Sequence, residues 1–543
     1  LRMKKALWKS VLAILLLAAV LAAVYLRAGG RWFRLARMLL VYLMLASVSL
    51  PALFRAGKGA RKLLLSPRTL IFATALAAMG VVYPLAKRFS LPRALAFEAL
   101  LLFAGAVFFA GVGAFLKSLP GREPDRLPRR RAFLLVAGVS LAVLAIGWLP
   151  FFPHGVSPDT QNQWAQIHGQ IPYSNIHAIG HTILLKALLS IFDSYAVVIA
   201  FHILALSALN GALGAYLIGR GAPARIVLWM VGIVGLAFSG LTAVYYPWKD
   251  LPAALCVGLV ALFAMRLTDV DRPLKPLSAA LFGAALASMW LFRHNGIVAL
   301  IVLGTYFLAS FLRRRQWLQL ACASLACVVS IAGIHLYSRA VLHTKYETNA
   351  ASLQVFGSGL SAIALEGNLT ESERAELEVL LPMDWVRRNY EPWKHQNLIW
   401  KVETAETASD ESLVGVNPIA QMLAKRGGDA VRLYFRLLPR NLGVCLKDAL
   451  QNNYALYGLS PSDLSNCNGF WALAVLFAMA VLWPRSALRR HWIVPAGIFV
   501  NMASIAVSTI TNEVRYFLPT FILFGWLVLY AATVRPREPS LSE

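Results

Sequence analysis

Residues 132–150 read AFLLVAGVSLAVLAIGWLP, and residues 151–164 continue FFPHGVSPDTQNQW. The first stretch carries no charge. As a helix rising about 1.5 Å per residue it is long enough to cross a hydrocarbon layer of about 30 Å. The second follows Pro150 and turns polar from His154. In lipid every backbone group must find its partner inside the segment, which leaves a helix for a run of this kind. Further apolar runs lie at 7–27, 36–54, 69–86, 94–116, 195–219, 226–245, 251–266, 277–291, 296–312, 318–341, 469–484, 491–510 and 515–533. The chain is therefore expected to be an all-α polytopic membrane protein with about 14 transmembrane helices.

Composition agrees. Of 543 residues, 58% are hydrophobic and only 14% charged, a balance that excludes an ordinary soluble domain. The run 7–27 follows Arg2, Lys4 and Lys5, is long and lacks a small-residue cleavage site, so it reads as a retained helix. The net charge of +26 invites a nucleic-acid partner. The cations instead sit in short loops between apolar runs, as positive-inside topology and anionic lipid require, and no nucleic-acid partner is expected.

That charge pattern orients the chain. With the N-terminus inside, the inner loops hold Arg55 to Arg68, Lys117 to Arg131, Arg220 and Arg225, Arg266 to Lys275, Arg313 to Arg315, Arg485 to Arg490, and Arg535 and Arg537. Both termini are then cytoplasmic. A first outer loop with Arg27, Arg31, Arg34 and Arg37 is an exception. Between Pro150 and Lys186 there is no Lys or Arg at all. Segment 178–192 is apolar but short and carries Lys186, so it is expected to lie at the interface as an amphipathic helix. Counting it as a span would put Arg313 to Arg315 outside.

Four parts follow: 1–131, accessory transmembrane helices; 132–342, a catalytic transmembrane core with a first external loop at 151–194; 343–468, a small external α or α+β domain; and 469–543, the last transmembrane helices. The 343–468 insert is too long for a loop and contains the acidic helix-like run Glu371-Ser-Glu-Arg-Ala-Glu-Leu-Glu. Cys256, Cys322 and Cys327 fall in apolar runs and read as packing residues; Cys445 and Cys467 could pair in an oxidising compartment.

Polar residues gather in four places, all on the external side of this topology: Ser157 to Gln161 around Asp159; Tyr245-Tyr246-Pro247-Trp248-Lys249-Asp250; Arg293-His294-Asn295-Gly296; and Thr511-Asn512-Glu513-Val514-Arg515-Tyr516. Each has an ordinary explanation. Asp159 would cap a helix from Thr160 to His168. Lys249 and Asp250 would anchor a span beside an aromatic belt, Arg293 and His294 would meet lipid phosphate, and Glu513 would pair with Arg515. Taken together, one carboxylate and several cations on one membrane face are what transfer from a lipid phosphate needs. An attacking hydroxyl must lose its proton to a base, and the departing phosphate must be met by cations. Asp159 has no cation near it in sequence to lower its basicity.

On these residues the chain resembles the GT-C superfamily of integral-membrane glycosyltransferases, which use polyprenyl-phosphate-linked sugars, and within it a poorly characterised bacterial branch. Pro158-Asp159-Thr160 matches the position of the essential acid in the first external loop, with 160–169 and 178–192 as the juxtamembrane helices that follow it. The turn Asn512-Glu513-Val514-Arg515-Tyr516 with Pro519 is similar to a Glu-x-Arg-Tyr turn of related transferases. The resemblance covers roughly 130–340 and the last span. In this chain four spans precede the span that leads into the acidic loop, where the core of the superfamily normally begins, and Asp159 has no second acid near it until Asp193.

The resemblance implies an inverting transferase of cell-envelope glycan biosynthesis in the bacterial cytoplasmic membrane, with its active site external. Asp159 is the expected base. Lys249 and Arg293 bind the lipid-linked phosphate, supported by His294 and Arg515, and Glu513 orients Arg515 or a sugar hydroxyl. Asp250, Asn295, Tyr516, His177 and His181 complete the expected binding set. The acceptor is a lipid, glycan or protein. No cofactor and no metal ligand is assigned, although His177 and His181, four apart, leave a divalent metal open. Two other readings stand beside this one: a lipid-linked glycan ligase or polymerase, which leans on Arg and His in a large external loop, and a lipid-carrier flippase or transporter, which places ionisable groups near the midplane.

Overall fold

A computed structural model describes residues 11–14, 16, 59–80, 90–118, 127–155, 157–237, 243–269, 274–346, 353–391, 398, 401, 417–453, 467–508 and 514–534. These residues are overwhelmingly helical. Among them there is no named strand, only an isolated parallel bridge between Ser174 and Lys345. The expected spans 7–27 and 36–54 lie almost wholly outside the described residues, as does Glu513.

Seven helices are long and apolar enough to cross a membrane: Leu91–Lys117, Arg129–Phe151, Tyr195–Gly219, Asp250–Thr268, Gly296–Arg313, Trp317–Ala340 and Arg515–Thr533. Five other expected spans are met by shorter helices. In order, the chain forms α1 (Ala60–Leu64), α2 (Pro67–Gly80), α3 (Leu91–Ser118), α4 (Arg129–Trp148), α5 (Pro158–Ile167), α6 (Ile179–Leu189), α7 (Tyr195–Gly219) and α8 (Ala224–Ala237). Then come α9 (Asp250–Asp269), α10 (Pro276–Phe292), α11 (Gly296–Arg313) and α12 (Trp317–Ala340). The expected span 226–245 is not one helix to its end, since residues 243–245 form a separate 3-10 turn. Helix α6 has 11 residues and so reaches only about 16 Å, half a hydrocarbon layer.

The bundle has a centre and a rim. In Asp250–Thr268, 89% of the apolar stretch is buried inside the protein, and in Arg515–Thr533 83%, whereas in Trp317–Ala340 only 6% is. Helices α9 and α21 (Leu518–Thr533) are thus the middle of the bundle, and α12 its outer wall. Small residues let neighbours approach: a Cβ on Gly283 of α10 would lie 2.0 Å from the Ala323 carbonyl of α12, and one on Gly214 of α7 2.8 Å from Val136 of α4.

Beyond Lys345 the helices α13 (Gln354–Glu366), α14 (Glu371–Leu380), α15 (Met383–Asn389), α16 (Pro418–Leu437) and α17 (Leu442–Asn452) enclose a hydrophobic cluster of their own. It is built from Leu360, Ile363, Leu377, Trp385, Ile419, Leu423 and Leu433. The chain re-enters the main bundle with α18 (Asn468–Leu482), α19 (Arg485–His491) and α20 (Ile493–Ser508). Cys445 belongs to the second cluster and Cys467 to the first, with no disulfide between them.

Candidate functional site

Helix α5 carries Asp159. Its N-cap is Ser157, whose hydroxyl accepts from the Thr160 amide at 3.3 Å while the Thr160 hydroxyl accepts from the Ser157 amide at 3.0 Å. Pro158, with no amide hydrogen to satisfy, begins the helix. Asp159 is therefore not the cap. The capping explanation of this residue is overturned, and its carboxylate is left for other partners. Two outside contacts fix the turn: the Trp248 indole donates to Ser157 Oγ at 2.8 Å, and the Tyr195 hydroxyl donates to the Thr160 carbonyl.

The partners of Asp159 come from the two central helices. Arg515, just ahead of α21, donates from Nη1 to Asp159 Oδ2 at 3.1 Å. Lys249, just ahead of α9, places Nζ 3.8 Å from the same oxygen. Side-chain exposure is 26% for Asp159, 20% for Lys249 and 10% for Arg515, so the cluster is shielded yet reachable. The Arg515 guanidinium lies 4.8 Å from the centre of the Trp248 ring, which is itself stacked on Tyr246. Burial alone would raise the Asp159 carboxyl. The charges of Lys249 and Arg515, with the hydrogen bond from Arg515, outweigh it and hold the group below its ordinary value. The carboxylate without a cation near it in sequence thus has two near it in space, and its basicity is lowered while they stay.

Behind this cluster is a second ion pair. Arg293, on the turn between α10 and α11, reaches Asp250 at 3.2 Å, and both side chains are buried. The same guanidinium faces the Tyr516 carbonyl at 3.5 Å and lies 4.5 Å from the centre of the Tyr516 ring. Asn501 of α20 donates to that carbonyl at 3.1 Å, and Asn295 donates to Ser504 Oγ at 3.2 Å. Arg293 therefore faces inward and holds the residue next to Arg515, and Asp250 is its ion-pair partner.

The histidines separate. His177 Nδ1 is 3.2 Å from Lys249 Nζ; since an ammonium only donates, this nitrogen is the acceptor. Burial first, then the Lys249 charge, push His177 down to about 4, so its imidazole is neutral. His294 Nε2 meets the Asn175 carbonyl at 3.1 Å and bears on the loop that holds His177. Burial, with Lys249 nearby, lowers its pKa as well. His181 is fully buried, with Nδ1 3.1 Å from Gln163 Oε1, and does not share a partner with His177. His168 pairs with Asp193 at 2.9 Å on the surface. Among the described residues no group of three or more His, Cys, Asp or Glu is placed to hold a metal.

Of the expected binding set, Asp159, Lys249, Arg515 and His177 form one cluster. Asp250, Arg293 and Tyr516 form a second that adjoins it, while Asn295 and His181 stand apart in supporting bonds. Sequence reading did not single out Asn501, Ser504, Gln163 or Asn175. Asn501 carries a signal, an amide inside an otherwise apolar run; Asn175 acts through its carbonyl, which no side-chain pattern announces. Compared with known proteins, the chain matches no family model, no curated protein and no solved structure.

Proposed function

We propose that the protein is a membrane glycosyltransferase. It moves a sugar from a polyprenyl-phosphate-linked donor to a hydroxyl of a lipid, glycan or protein, at the external face of a bacterial cytoplasmic membrane. The observation that carries this reading is the Asp159 carboxylate between Lys249 and Arg515, at one end of an apolar bundle. Helix α9 begins there with Asp250 and α5 with Pro158, so backbone amides add to the positive potential. A cavity of about 360 Å³ between α6, α10 and α12 is lined by Leu291, Phe292, Val329 and Ile334 together with Gly180, Gly333, Ser288 and Ser330. Phe292 of its lining is the chain neighbour of Arg293, and the cavity would take an isoprenoid chain whose phosphate sits among the cations.

The chemistry is a single displacement. The acceptor oxygen bonds to the anomeric carbon, its proton passes to Asp159, and the carbon–oxygen bond to phosphate breaks with its electron pair on the phosphate. Lys249 and Arg515 meet that charge, and the anomeric configuration inverts. The same cations rest on Asp159. A donor phosphate competes for them, and as they turn to it the carboxylate recovers its basicity. Arg293, held by Asp250, keeps the Tyr516 backbone and hence Arg515 in place. The neutral His177 accepts from Lys249 and directs the ammonium into the site.

The test is donor dependence. Purified protein in lipid nanodiscs, given radiolabelled polyprenyl-phosphate sugars and a mixed membrane-lipid and glycan acceptor extract, should release polyprenyl phosphate with transfer of label. Nucleotide sugars should not serve. Label transferred from nucleotide sugars alone, or none from any lipid-linked donor, sinks the proposal.

A further inference from the structure

Among the described residues, the second helical cluster carries one exposed apolar face. On α17, Leu442, Leu446 and Leu450 are 52%, 55% and 56% exposed. Spaced four apart, they form a stripe along a single side of the helix. The other side is fixed inward: Cys445, Asp448 and Gln451 are buried, and Asp448 accepts from Ser358 of α13 at 3.1 Å and from Tyr390 at 3.0 Å. The helix therefore cannot roll its leucines into its own core.

Where α17 ends decides what meets the stripe. Asn453 closes the helix on the Ala449 carbonyl at 2.9 Å and also donates to the Ala506 carbonyl at 3.3 Å. Ala506 lies in the last turn of α20, an apolar helix of the bundle, at the end adjacent to the turn that carries Arg515. A helix tied at its tip to the end of an apolar bundle helix starts at the boundary where hydrocarbon gives way to water. Lys447, beside the stripe, is held by Glu366 of α13 at 2.7 Å, and Arg440, which precedes the helix, is held by Glu373 of α14, so ion-paired cations border the apolar strip.

We propose that α17 lies on the bilayer surface with Leu442, Leu446 and Leu450 inserted among the lipid chains, making this cluster a membrane-seated cap beside the Arg515 turn. An apolar stripe with basic residues at its border is the pattern of an interfacial helix, which sinks about 5–10 Å below the headgroups. The inference requires the bundle to span a membrane and does not depend on the reaction proposed above.

The test uses the full chain in vesicles of phosphatidylethanolamine and phosphatidylglycerol. A bimane label is placed at L446C and, for comparison, at V379C on the acidic helix α14, where Val379 is 75% exposed. Lipid-borne doxyl quenchers should remove about half of the emission at 446, as expected for a group below the headgroups. They should leave 379 unchanged, while aqueous iodide does the reverse. Iodide quenching at both positions overturns the proposal, because the stripe then faces water. Quenching by neither agent at 446 also overturns it, because a protein surface then covers the stripe. Should the cysteine variant fail to fold, benzoylphenylalanine at 446 gives the same decision through lipid or non-lipid cross-links.

Discussion

At the scale of single residues, the account rests on a carboxylate whose partners are borrowed. Arg515 and Lys249 satisfy Asp159 and, in the proposed reaction, the donor phosphate, so their removal should weaken donor binding more than the chemical step. Replacing Arg515 with Gln deletes one charge-assisted hydrogen bond, worth about 1.5–3 kcal/mol. The donor KM should rise about 10–100-fold. Arg293→Gln should cost folding more, because it strands the fully buried Asp250 carboxylate, and its thermal midpoint should drop further than that of Arg515→Gln. Histidine 177 gives a pH signature. Folded, it binds a proton only near 4, whereas a free imidazole does so near 6.5. Between these values the unfolded chain takes up a proton that the folded protein refuses. Its neutral state therefore supports the fold above about pH 6.5, and that support is lost as the pH falls toward 4. The thermal midpoint in detergent should fall over this window in the parent protein and fall less in His177→Gln; parallel curves would rule the idea out.

Elements explain why some of this was legible and some was not. Apolar runs announced the seven long helices because helix length against membrane thickness is a one-dimensional property. Segment 178–192 forms the 11-residue α6, which reaches only about 16 Å. The polar loop was legible by composition, and Asp159, Lys249 and Arg515 were each named from it or from its distant counterparts. Their grouping was not. Lys249 was expected to share its role with Arg293, yet Arg293 is turned onto Asp250 by burial, a choice that depends on which way α9 and α10 face. Cap identity was missed too, since Ser157 and Asp159 are both good N-caps and only the Ser157–Thr160 reciprocity decides between them. Close packing is equally silent in one sequence: Gly283 reads as an ordinary apolar-run glycine, but its Cβ position lies against the Ala323 carbonyl backbone. Gly283→Ala should force α10 and α12 apart and destabilise by about 1–3 kcal/mol, read as a lowered thermal midpoint in detergent. An unchanged midpoint would mean the two helices do not meet there.

For the whole molecule, the two most buried helices begin where the acidic loop folds back, so the centre of the bundle delivers its cations to one end. This geometry makes the site a product of topology, and topology is testable. A cysteine in place of Glu378 on α14 should react with an impermeant maleimide in intact cells, and one in place of Arg489 on α19 only after permeabilisation. The reverse pattern would put the site in the cytoplasm. Most direct is the carboxylate itself. Asp159→Asn keeps the shape of the side chain but removes its ability to take a proton together with the negative charge that Lys249 and Arg515 meet. With donor binding retained, the turnover of lipid-linked sugar should fall by about 10²–10⁴-fold. Turnover within a few-fold of the parent protein would show that Asp159 is not the base and would contradict the account.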